Sequence, residues 1–351
     1  MQNKRSPMPR ARRQLPWWQV ALIDLGALVV SLLLFALFDH VIPRSQQAVP
    51  VAMSTPVPTA VPTAAPVVLY DTDTDEPAEA APQPAAAPQS AEGDFSARFA
   101  DKFTDGQVIQ TENSYQSPNV NLTLTRYETM LGDDPEVYFV ADIYVRNIEY
   151  LRTVFAKDNY GKSINEEMLS MSQRTNALVA INSDYYSFRT TGTVIRNGVM
   201  YRGGISPDME VGILFRDGTM RAYKNEADLN MDQVMAEGAW QGFCFGPSLL
   251  DGSGNLLPSY ESVNHNPRTI LGVVEPGHYL FIVIDGRQGG YSEGMTYRES
   301  AELCQQLGCT FAFNLDGGKT SQMTFMGQMA NQPYADGRDT SDIIYIAEPN
   351  A

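Results

Sequence analysis

The stretch FAFNLDGGKTSQM, residues 311–323, decides how the rest of the chain is organised. Its first residues, Phe311–Phe313, are an apolar run typical of a buried strand, which ends abruptly at a polar loop over residues 314–319. Gly317 and Gly318 in that loop lack a Cβ, so their backbone can take a positive φ and present N–H groups to a ligand. Two interpretations are open at this point: a tight turn between two strands, or the loop of a ligand-binding site.

The side chains of this loop favour a site. Asn314 and Asp316 are two residues apart, which places both on one face of an extended chain, and Lys319 follows. The Gly-Lys-Thr sequence suggests a phosphate-binding P-loop, but that motif needs a glycine five residues before Gly318, and Phe313 stands there. We therefore exclude a nucleotide-binding P-loop and keep the amide and the carboxylate as the candidate chemistry.

The first 40 residues have the composition of a membrane anchor. Residues 1–16 contain several Lys and Arg residues and no acid, and residues 17–40 are largely apolar. At about 1.5 Å of rise per residue, that apolar span is long enough to cross a bilayer as one transmembrane helix. The basic leader predicts a cytoplasmic N-terminus, so we expect a single-pass protein of the cell membrane whose C-terminal domain is extracellular.

A cleaved signal peptide is the alternative, since residues 25–38 alone would form the apolar region of one. No clear cleavage site follows the span, so we predict an uncleaved signal anchor. Residues 41–93 are rich in Pro and Ala and cannot bury enough apolar surface to fold, which predicts a disordered linker. Residues 94–351 then form the extracellular domain.

Charge and cysteine content exclude several function classes. The formal net charge is −16 although the leader is basic, which argues against a nucleic-acid partner. The three cysteines are too few, and odd in number, for a disulfide framework, although Cys304 and Cys309 are close enough in sequence to pair. The three histidines are scattered, so neither a zinc cluster nor a His-based triad can be assembled from them.

The extracellular part is predicted to be α+β, with a strand-rich mixed sheet and a few packed helices. The pairs Asn197-Gly198 and Asp217-Gly218 are strong signals for two hairpins. Apolar patterning further predicts strands at residues 120–127, 136–146 and 177–181, and helices at residues 163–175 and 225–237.

The clearest structural prediction is a βαβ pattern that ends in the strand at residues 310–313. Two apolar β-runs, residues 269–274 and 279–284, are separated by Pro276-Gly277 and predict a hairpin. Thr296 and Glu299 then form a capping box that opens a helix, and a strand follows it at residues 310–313. Strand, helix and strand form a βαβ unit, whose two strands run parallel if they share a sheet.

Parallel strands end on the same side of a sheet, which brings distant polar residues together. Asp285 and Arg287 follow one strand of the unit, so we expect them to open onto the same crevice as the polar loop. If the strand at residues 177–181 lies in that sheet and runs in the same direction, the residues after it join them. The predicted crevice is then lined by Asn182, Asp184, Asp285, Arg287, Asn314, Asp316 and Lys319.

Eight sequence blocks carry a family resemblance. They are AINSDYYSF, IRNG, FGPSLL, NPRTILG, IDGRQGGYSEGMTYRESAELCQQLGC, FNLDGGKTSQM, NQP and GRDTSDIIYI, in this order over residues 177–346. Together they resemble the phosphodiester glycosidase domain family, which includes the mannose 6-phosphate uncovering enzyme and many bacterial envelope proteins. The resemblance implies a polar core of the site at Asn182, Arg268, Asp285, Arg287, Asn314, Asp316, Gly317 and Gly318.

The activity implied by the resemblance is hydrolysis of sugar-1-phosphodiester linkages, here in envelope or exopolysaccharide glycans. The expected partner is therefore a carbohydrate or sugar-phosphate polymer, besides the membrane. Such a site must first hold the anionic phosphodiester, and an Arg guanidinium can bind two phosphate oxygens at once. We predict Arg268 and Arg287 for this role, with Lys319 and Arg338 as further candidates.

The second task is to stabilise positive charge that develops at the anomeric carbon. A carboxylate can do this as the nucleophile or as the base for water, and we predict Asp316 first and Asp285 second. Asn182 and Asn314 are expected to orient sugar hydroxyls or phosphate oxygens, and Asp184 to contact the substrate. No cofactor is expected, although Asp184, Asp285 and Asp316 together would suit Ca²⁺.

Simpler explanations of the same residues stay open. Asp285 and Arg287 fit an ordinary turn salt bridge, which contributes little when exposed. Tyr185, Tyr186 and Phe188 are either sugar-stacking aromatics or core residues.

Two departures from the family pattern bear on activity. Ser183-Asp184 stands where the family usually has Gly-Gly, and Lys319 and Gln322 are larger than the residues they replace. Both long side chains are therefore expected to reach into the cleft. If these changes abolish activity, the domain is instead a non-catalytic module that binds or organises envelope glycans.

Overall fold

The computed structural model describes residues 49–50, 93–260 and 263–348. The predicted leader (1–16) and signal anchor (17–40) lie outside the described residues, as does the linker (41–93) except for residues 49, 50 and 93. Within the described ranges, no helix combines the length and the apolar composition that a membrane crossing requires.

Three short α-helices and nineteen strands make up the regular structure of the described ranges. The helices are α1 (Met168–Arg174), α2 (Met231–Ala236) and α3 (Tyr297–Gln306). The strands are β1 (Val49–Pro50), β2 (Ile109–Gln110), β3 (Ser114–Gln116), β4 (Val120–Leu131), β5 (Asp134–Val145), β6 (Leu151–Phe155), β7 (Asn159–Tyr160), β8 (Val179–Asn182), β9 (Val194–Arg196), β10 (Val199–Arg202), β11 (Glu210–Phe215), β12 (Met220–Tyr223), β13 (Ala239–Phe245), β14 (Arg268–Glu275), β15 (His278–Ile284), β16 (Phe311–Asn314), β17 (Met323–Phe325), β18 (Gln328–Met329) and β19 (Asp342–Ile346).

The larger strands form three sheets, and a small ladder joins β1 to β7. Sheet I has the order β16-β14-β15-β5-β4-β3-β2, sheet II the order β18-β17-β8-β19-β6, and sheet III the order β10-β9-β13-β11-β12. Neighbouring strands in these sheets pair antiparallel. The α+β class, with strand-rich sheets and few helices, is therefore confirmed for the described residues.

The predicted βαβ unit is present in sheet I, with one strand inserted in it. β15 and β16 both pair antiparallel with β14, which lies between them, so β15 and β16 run parallel to each other. The helix that crosses between them, α3, begins with the predicted capping box: Thr296 accepts from the N–H of Glu299, whose side chain accepts from the N–H of Thr296. As expected, β15 and β16 therefore end on the same side of sheet I.

The strand predicted at residues 177–181 does not share a sheet with β15 and β16, which was a condition of the predicted crevice. β8 lies in sheet II and not in sheet I, so Asn182 at its end approaches the site from a different sheet than we expected. The largest apolar core explains how the two come together, because it contains Ile181 of β8, Phe281 of β15 and Phe313 of β16, all fully buried. Sheets I and II thus pack through this core, and their polar strand ends meet at its edge.

Local predictions are confirmed more often than their boundaries. Asn197-Gly198 and Asp217-Gly218 lie in the β9–β10 and β11–β12 hairpins. The helix expected from residue 163 begins only at Met168, because Ser163 has a φ of 58° and Glu166 forms a bridge with Thr340. The helix expected at residues 225–237 is divided into a 3₁₀ turn and α2.

The cysteines are packed thiols in the described residues. Cys244, Cys304 and Cys309 are all free and buried. Cys304 at the end of α3 lies beside Cys309, and this contact together with burial raises the pKa of its thiol.

Glu136 on β5 is a carboxyl inside the fold, only 1% exposed. Its Oε2 accepts hydrogen bonds from Ser292 Oγ at 3.1 Å and from the N–H of Gly294 at 2.9 Å. Its Oε1 has no hydrogen-bond partner among the described residues. Burial raises the pKa of Glu136 to about 7, although both hydrogen bonds favour the carboxylate.

A pKa raised by folding makes the native state less stable as pH rises from the unfolded value through the folded one. We expect Glu136→Gln to remove this loss, since the amide stays neutral and keeps an acceptor for Ser292 and Gly294. Between about pH 4.5 and about pH 8, the unfolding free energy of the parent should fall by about 3 kcal/mol relative to that of the variant. Urea unfolding across this range measures the difference.

Glu112→Gln, at an exposed position, is the matched control and should follow the parent. Identical pH slopes for the parent and Glu136→Gln would show that the Glu136 carboxyl does not carry the effect.

Candidate active site

The carboxyl of Asp316 lies at the centre of the polar loop after β16. It is 6% exposed, and its Oδ2 accepts hydrogen bonds from Thr320 Oγ1 at 2.7 Å and from Arg338 Nη2 at 3.0 Å. Burial raises the pKa of Asp316, whereas Thr320 and Arg338 oppose that rise by favouring the carboxylate. The site therefore has a fixed, mostly buried carboxyl that carries one cationic partner.

Gly317 and Gly318 are required by close contacts of the loop. A Cβ on Gly317 would lie 2.7 Å from the carbonyl oxygen of Pro267, too close for any larger residue. Gly318 has a φ of 69° and donates its N–H to the same oxygen at 3.1 Å. A Cβ on Gly318 would lie 3.2 Å from Nη1 of Arg287. The two glycines thus seat the loop against the start of β14 and directly beneath the Arg287 guanidinium.

Asn182 holds this loop in place from sheet II. Its side chain is fully buried, and its Nδ2 donates to the carbonyl oxygen of Asp316 at 2.7 Å. Its Oδ1 accepts from Thr269 Oγ1 at 2.7 Å and from the N–H of Gln322 at 3.2 Å. With both ends of its amide engaged, Asn182 positions the loop, and the predicted contact with substrate has no free group to make it.

Asn314 joins the same loop to the segment after β13. Its Nδ2 donates to the carbonyl oxygen of Gly246 at 2.8 Å, and its backbone exchanges hydrogen bonds with Gly246 and Pro247. Its Oδ1 is buried and has no hydrogen-bond partner among the described residues. Asn314 therefore anchors the loop and keeps one acceptor unused.

Asp285 is placed beside the loop but is occupied by donors. It is 1% exposed, and it accepts from Asn331 Nδ2 at 2.6 Å, from the N–H of Gln332 at 3.0 Å and from Tyr291 Oη at 2.9 Å. Burial raises the pKa of Asp285, and these three donors oppose the rise. Both oxygens of Asp285 are therefore engaged by donors, and the alternative interpretation, a salt bridge to Arg287, has no counterpart among the ion pairs of the described residues.

Asn331 is the residue through which Asp285 reaches the loop. Besides Asp285, its Nδ2 contacts the carbonyl oxygen of Ser321 at 3.1 Å, and its Oδ1 accepts from the N–H of Met323 at 2.8 Å. The loops after β15 and β16 therefore converge, as predicted. Asn331 itself was not predicted as a site residue, although it lies in the sequence block NQP.

Asp184 belongs to a separate buried ion cluster. Its Oδ1 lies 2.8 Å from Nη2 of Arg196, whose Nε lies 2.6 Å from Oδ2 of Asp342. All three side chains are at most 2% exposed. The backbone next to Asp184 still touches the site, because the carbonyl of Ser183 accepts from the N–H of Asp316 at 3.2 Å. The Asp184 side chain therefore pairs with Arg196 in the protein interior and is not accessible to a ligand.

Of the arginines predicted to bind phosphate, Arg268 is largely buried. Arg268 is 6% exposed, its guanidinium lies 4.0 Å from the centre of the Tyr297 ring, and its Nε donates to the carbonyl of Met295 at 2.9 Å. Burial lowers the pKa of Arg268, and the charge of nearby Arg287 lowers it further. Arg268 is thus close to the site but committed to the protein interior.

Three cations remain exposed around Asp316. The Arg287 guanidinium donates two hydrogen bonds to Asn266 Oδ1, at 3.0 and 2.6 Å. It lies 5.7 Å from the centre of the Tyr334 ring. Arg338 reaches Asp316 while its side chain stays 49% exposed. Lys319 is exposed as well and makes no ion pair among the described residues. We call Arg287, Lys319 and Arg338 the cationic rim.

The departure at Gln322 has a structural explanation. Gln322 is 4% exposed, and its Nε2 donates to the carbonyl of Arg338 at 2.8 Å. It fits beneath Gly337, where a Cβ would lie 2.7 Å from its Oε1. Gln322 therefore holds the Arg338 segment against the loop. Contrary to the expectation, its side chain does not reach into the cleft. The Lys319 side chain is exposed to solvent.

The aromatic residues after β8 divide between core and surface. Tyr186 is 2% exposed and packs on Phe155 and Tyr160, so it is a core residue. Phe188 is 54% exposed, and Tyr185 packs edge-on against Phe245. Only Tyr185 and Phe188 therefore remain as candidates for stacking on a sugar.

The three aspartates proposed for Ca²⁺ do not form one cluster. Asp184, Asp285 and Asp316 each have their own partners, and the described residues contain no group of three or more side chains placed to hold a metal ion. The absence of a cofactor stays a prediction.

Comparison with known proteins finds a family model that matches the C-terminal half of the chain. Residues 175–347 match the family model described as "Phosphodiester glycosidase". The SPbeta prophage-derived uncharacterized protein YomE of Bacillus subtilis (strain 168) is 31% identical over 204 residues, which cover 54% of this chain and 31% of that protein. The chain thus spans about a third of the length of this curated relative.

A solved structure is similar in fold. The catalytic domain of zebrafish N-acetylglucosamine-1-phosphodiester alpha-N-acetylglucosaminidase, auto-inhibited by its pro-peptide, superposes with a TM-score of 0.54 at 18% sequence identity. The match covers 69% of this chain and 87% of that one. At this level of identity the comparison supports the fold alone.

The Asn331 side chain gives a test of how the two loops are held together. Asn331→Ala leaves the buried Asp285 carboxyl, the Ser321 carbonyl and the Met323 N–H each without one partner, and a buried unpaired polar group costs about 1–3 kcal/mol. We expect the unfolding free energy to fall by about 3 kcal/mol, measured by urea unfolding. Asn113→Ala, at an exposed position, should stay within about 0.5 kcal/mol of the parent. Equal losses in both variants would contradict the role of Asn331.

Proposed function

We propose, from the membership of residues 175–347 in the phosphodiester glycosidase family, that this chain hydrolyses sugar-1-phosphodiesters and releases the sugar from the phosphate. The observation that carries the proposal is the fixed Asp316 carboxyl beneath the cationic rim. An anion that enters would contact the rim first and bring its sugar towards the carboxyl.

The cationic rim suits a phosphodiester on electrostatic grounds. The chain has a formal net charge of −16, which would repel an anionic substrate from most of its surface. Arg287 and Arg338 each present a guanidinium that can hold two phosphate oxygens, and Lys319 adds a third cation. Arg287 is already oriented by Asn266, so less side-chain entropy is lost when the phosphate binds.

Asp316 suits the reaction at the anomeric carbon. A carboxylate next to the developing positive charge stabilises the transition state, either by attacking the carbon or by activating water. Arg338 favours the ionised form of Asp316 against the effect of burial, and it is also placed to bind the phosphate. The phosphate that departs is a fairly good leaving group, so the reaction has little need of a strong general acid.

The cellular setting is part of the proposal. The basic leader, the apolar span and the Pro/Ala-rich linker of the sequence support a membrane-anchored, extracellular enzyme. Envelope or exopolysaccharide glycans with sugar-phosphate linkages are substrates that such an anchored domain would meet. A domain that only binds or organises these glycans would bind the same ligands without turnover.

Asp316→Asn tests the central residue. The amide keeps the hydrogen bond from Thr320 but can neither attack the anomeric carbon nor take a proton. We expect kcat for release of sugar from a sugar-1-phosphodiester to fall by about 10³-fold or more. Asp339→Asn, a nearby exposed position, should keep the activity of the parent.

Equal turnover of the parent and Asp316→Asn would remove Asp316 from the mechanism. Binding of the phosphodiester without turnover by the parent would favour the non-catalytic module.

The pH profile of the reaction tests the ionisation state. Because Asp316 must be ionised and burial raises its pKa, kcat/KM should fall on the acid side at a pH above the usual Asp value, about 3.9. Arg338→Gln removes the cation that favours the carboxylate, so the acid limb should move to higher pH and KM should rise.

Arg298→Gln, which removes an exposed arginine of α3, is the matched control and should leave both unchanged. An acid limb that stays in place in Arg338→Gln would show that Arg338 does not set the ionisation of Asp316.

A further inference from the structure

A pocket of about 380 Å³ lies between the β4–β5 hairpin and the loop after β15. One wall is the outer part of the β4–β5 hairpin, which contributes Arg126, Glu128, Thr129 and Met130 among other residues. The opposite wall is the loop after β15, which contributes Tyr291. The volume is within the range of pockets that bind small ligands.

Tyr291 connects this pocket to the candidate active site. Its hydroxyl donates to Asp285 Oδ2 at 2.9 Å, and Asp285 is joined through Asn331 to the Ser321 end of the Asp316 loop. Tyr291 also interacts with Arg126, and the Arg126 charge favours the carboxylate of Asp285. A chain of hydrogen bonds through Tyr291, Asp285 and Asn331 therefore joins the pocket lining to the Asp316 loop.

The pocket lining indicates a neutral, hydroxyl-rich ligand. Arg126 is hydrogen-bonded to Glu128, so the positive charge on this wall is already balanced by a carboxylate. Glu136 adds a second carboxyl to the lining, and its Oε1 has no hydrogen-bond partner among the described residues. The lining still offers hydrogen-bond donors and acceptors, from the guanidinium, the carboxylate and the Thr129 hydroxyl. Met130 is 57% exposed and adds apolar surface for the C–H face of a sugar ring. With two carboxyls and one guanidinium in the lining, the pocket has no net attraction for an anion, unlike the cationic rim.

The hairpin wall comes from outside the family-matched part of the chain. β4 and β5 cover Val120–Leu131 and Asp134–Val145, whereas the family model matches residues 175–347. Tyr291 lies inside the matched part. The pocket thus forms only because the preceding strands are added to sheet I next to the family's loop.

We propose that this pocket binds a neutral glycosyl unit of a longer substrate, beyond the phosphodiester that is cleaved at Asp316. The proposal rests on the proposed function for the identity of the cleaved group. In this arrangement the rim holds the phosphate, Asp316 acts on the sugar, and the hairpin selects polymeric over minimal substrates.

The kinetic experiment compares two substrates. One is the methyl diester of a sugar 1-phosphate, and the other carries a neutral trisaccharide in place of the methyl group. For the parent we expect KM to be about tenfold or more lower for the trisaccharide substrate, the effect of one well-filled subsite. Thr129→Trp, which fills the pocket, should remove that difference.

Two further variants keep this test interpretable. Thr111→Trp makes the same substitution at an exposed position outside the pocket and should behave as the parent. Thr129→Tyr fills the pocket with a smaller ring and should act in the same direction if Thr129→Trp fails to fold. Equal KM values of the parent for the two substrates, or an unchanged preference in a folded Thr129 variant, would overturn the proposal.

A binding experiment separates this proposal from the proposed function. If the parent hydrolyses neither substrate, saturation-transfer NMR with maltotriose and chitotriose still tests the pocket directly. We expect a signal with at least one trisaccharide for the parent and Thr111→Trp, and its loss in Thr129→Trp. No signal with either trisaccharide, or an equal signal in Thr129→Trp, would refute a glycosyl pocket even in an active enzyme.

Discussion

The buried amide of Asn182 is the contact on which the candidate site depends. It belongs to β8 of sheet II, yet it bonds to the Asp316 carbonyl and to Thr269, both of which belong to the sheet I side of the site. In a low-dielectric interior such hydrogen bonds are strong, and each unpaired partner would be costly. The two sheets are therefore held in one relative position where their strand ends meet, and Asp316 is placed by that position.

A second set of contacts extends the same principle to the loop after β15. Asp285 accepts hydrogen bonds from Asn331, Gln332 and Tyr291. Asn331 also donates to a carbonyl of the loop after β16. The buried Asp285 and Asn331 side chains are satisfied by these contacts, so they support the site and are not free to bind a ligand. The groups left for a ligand lie above them: the Asp316 carboxyl and the cationic rim.

Charge distribution then separates the roles of neighbouring surfaces. The rim concentrates exposed cations on a strongly acidic chain, whereas the β4–β5 pocket pairs its guanidinium with a carboxylate. The first surface suits a phosphodiester and the second an uncharged sugar. A glycan that carries both groups matches the two surfaces together, which is the reason to regard them as parts of one binding site.

The sequence by itself determined the local elements and the parallel direction of β15 and β16. The capping box at Thr296, the Asn197-Gly198 turn and the apolar runs act over a few residues, so their signals can be read directly from neighbouring positions. Only the tertiary structure decided which polar side chains have free groups. Arg268 is committed to Tyr297 and Met295, and Asp184 to Arg196, whereas Arg338 reaches Asp316. These pairings depend on how separate sheets pack, a long-range property that periodicity and spacing along the chain do not encode.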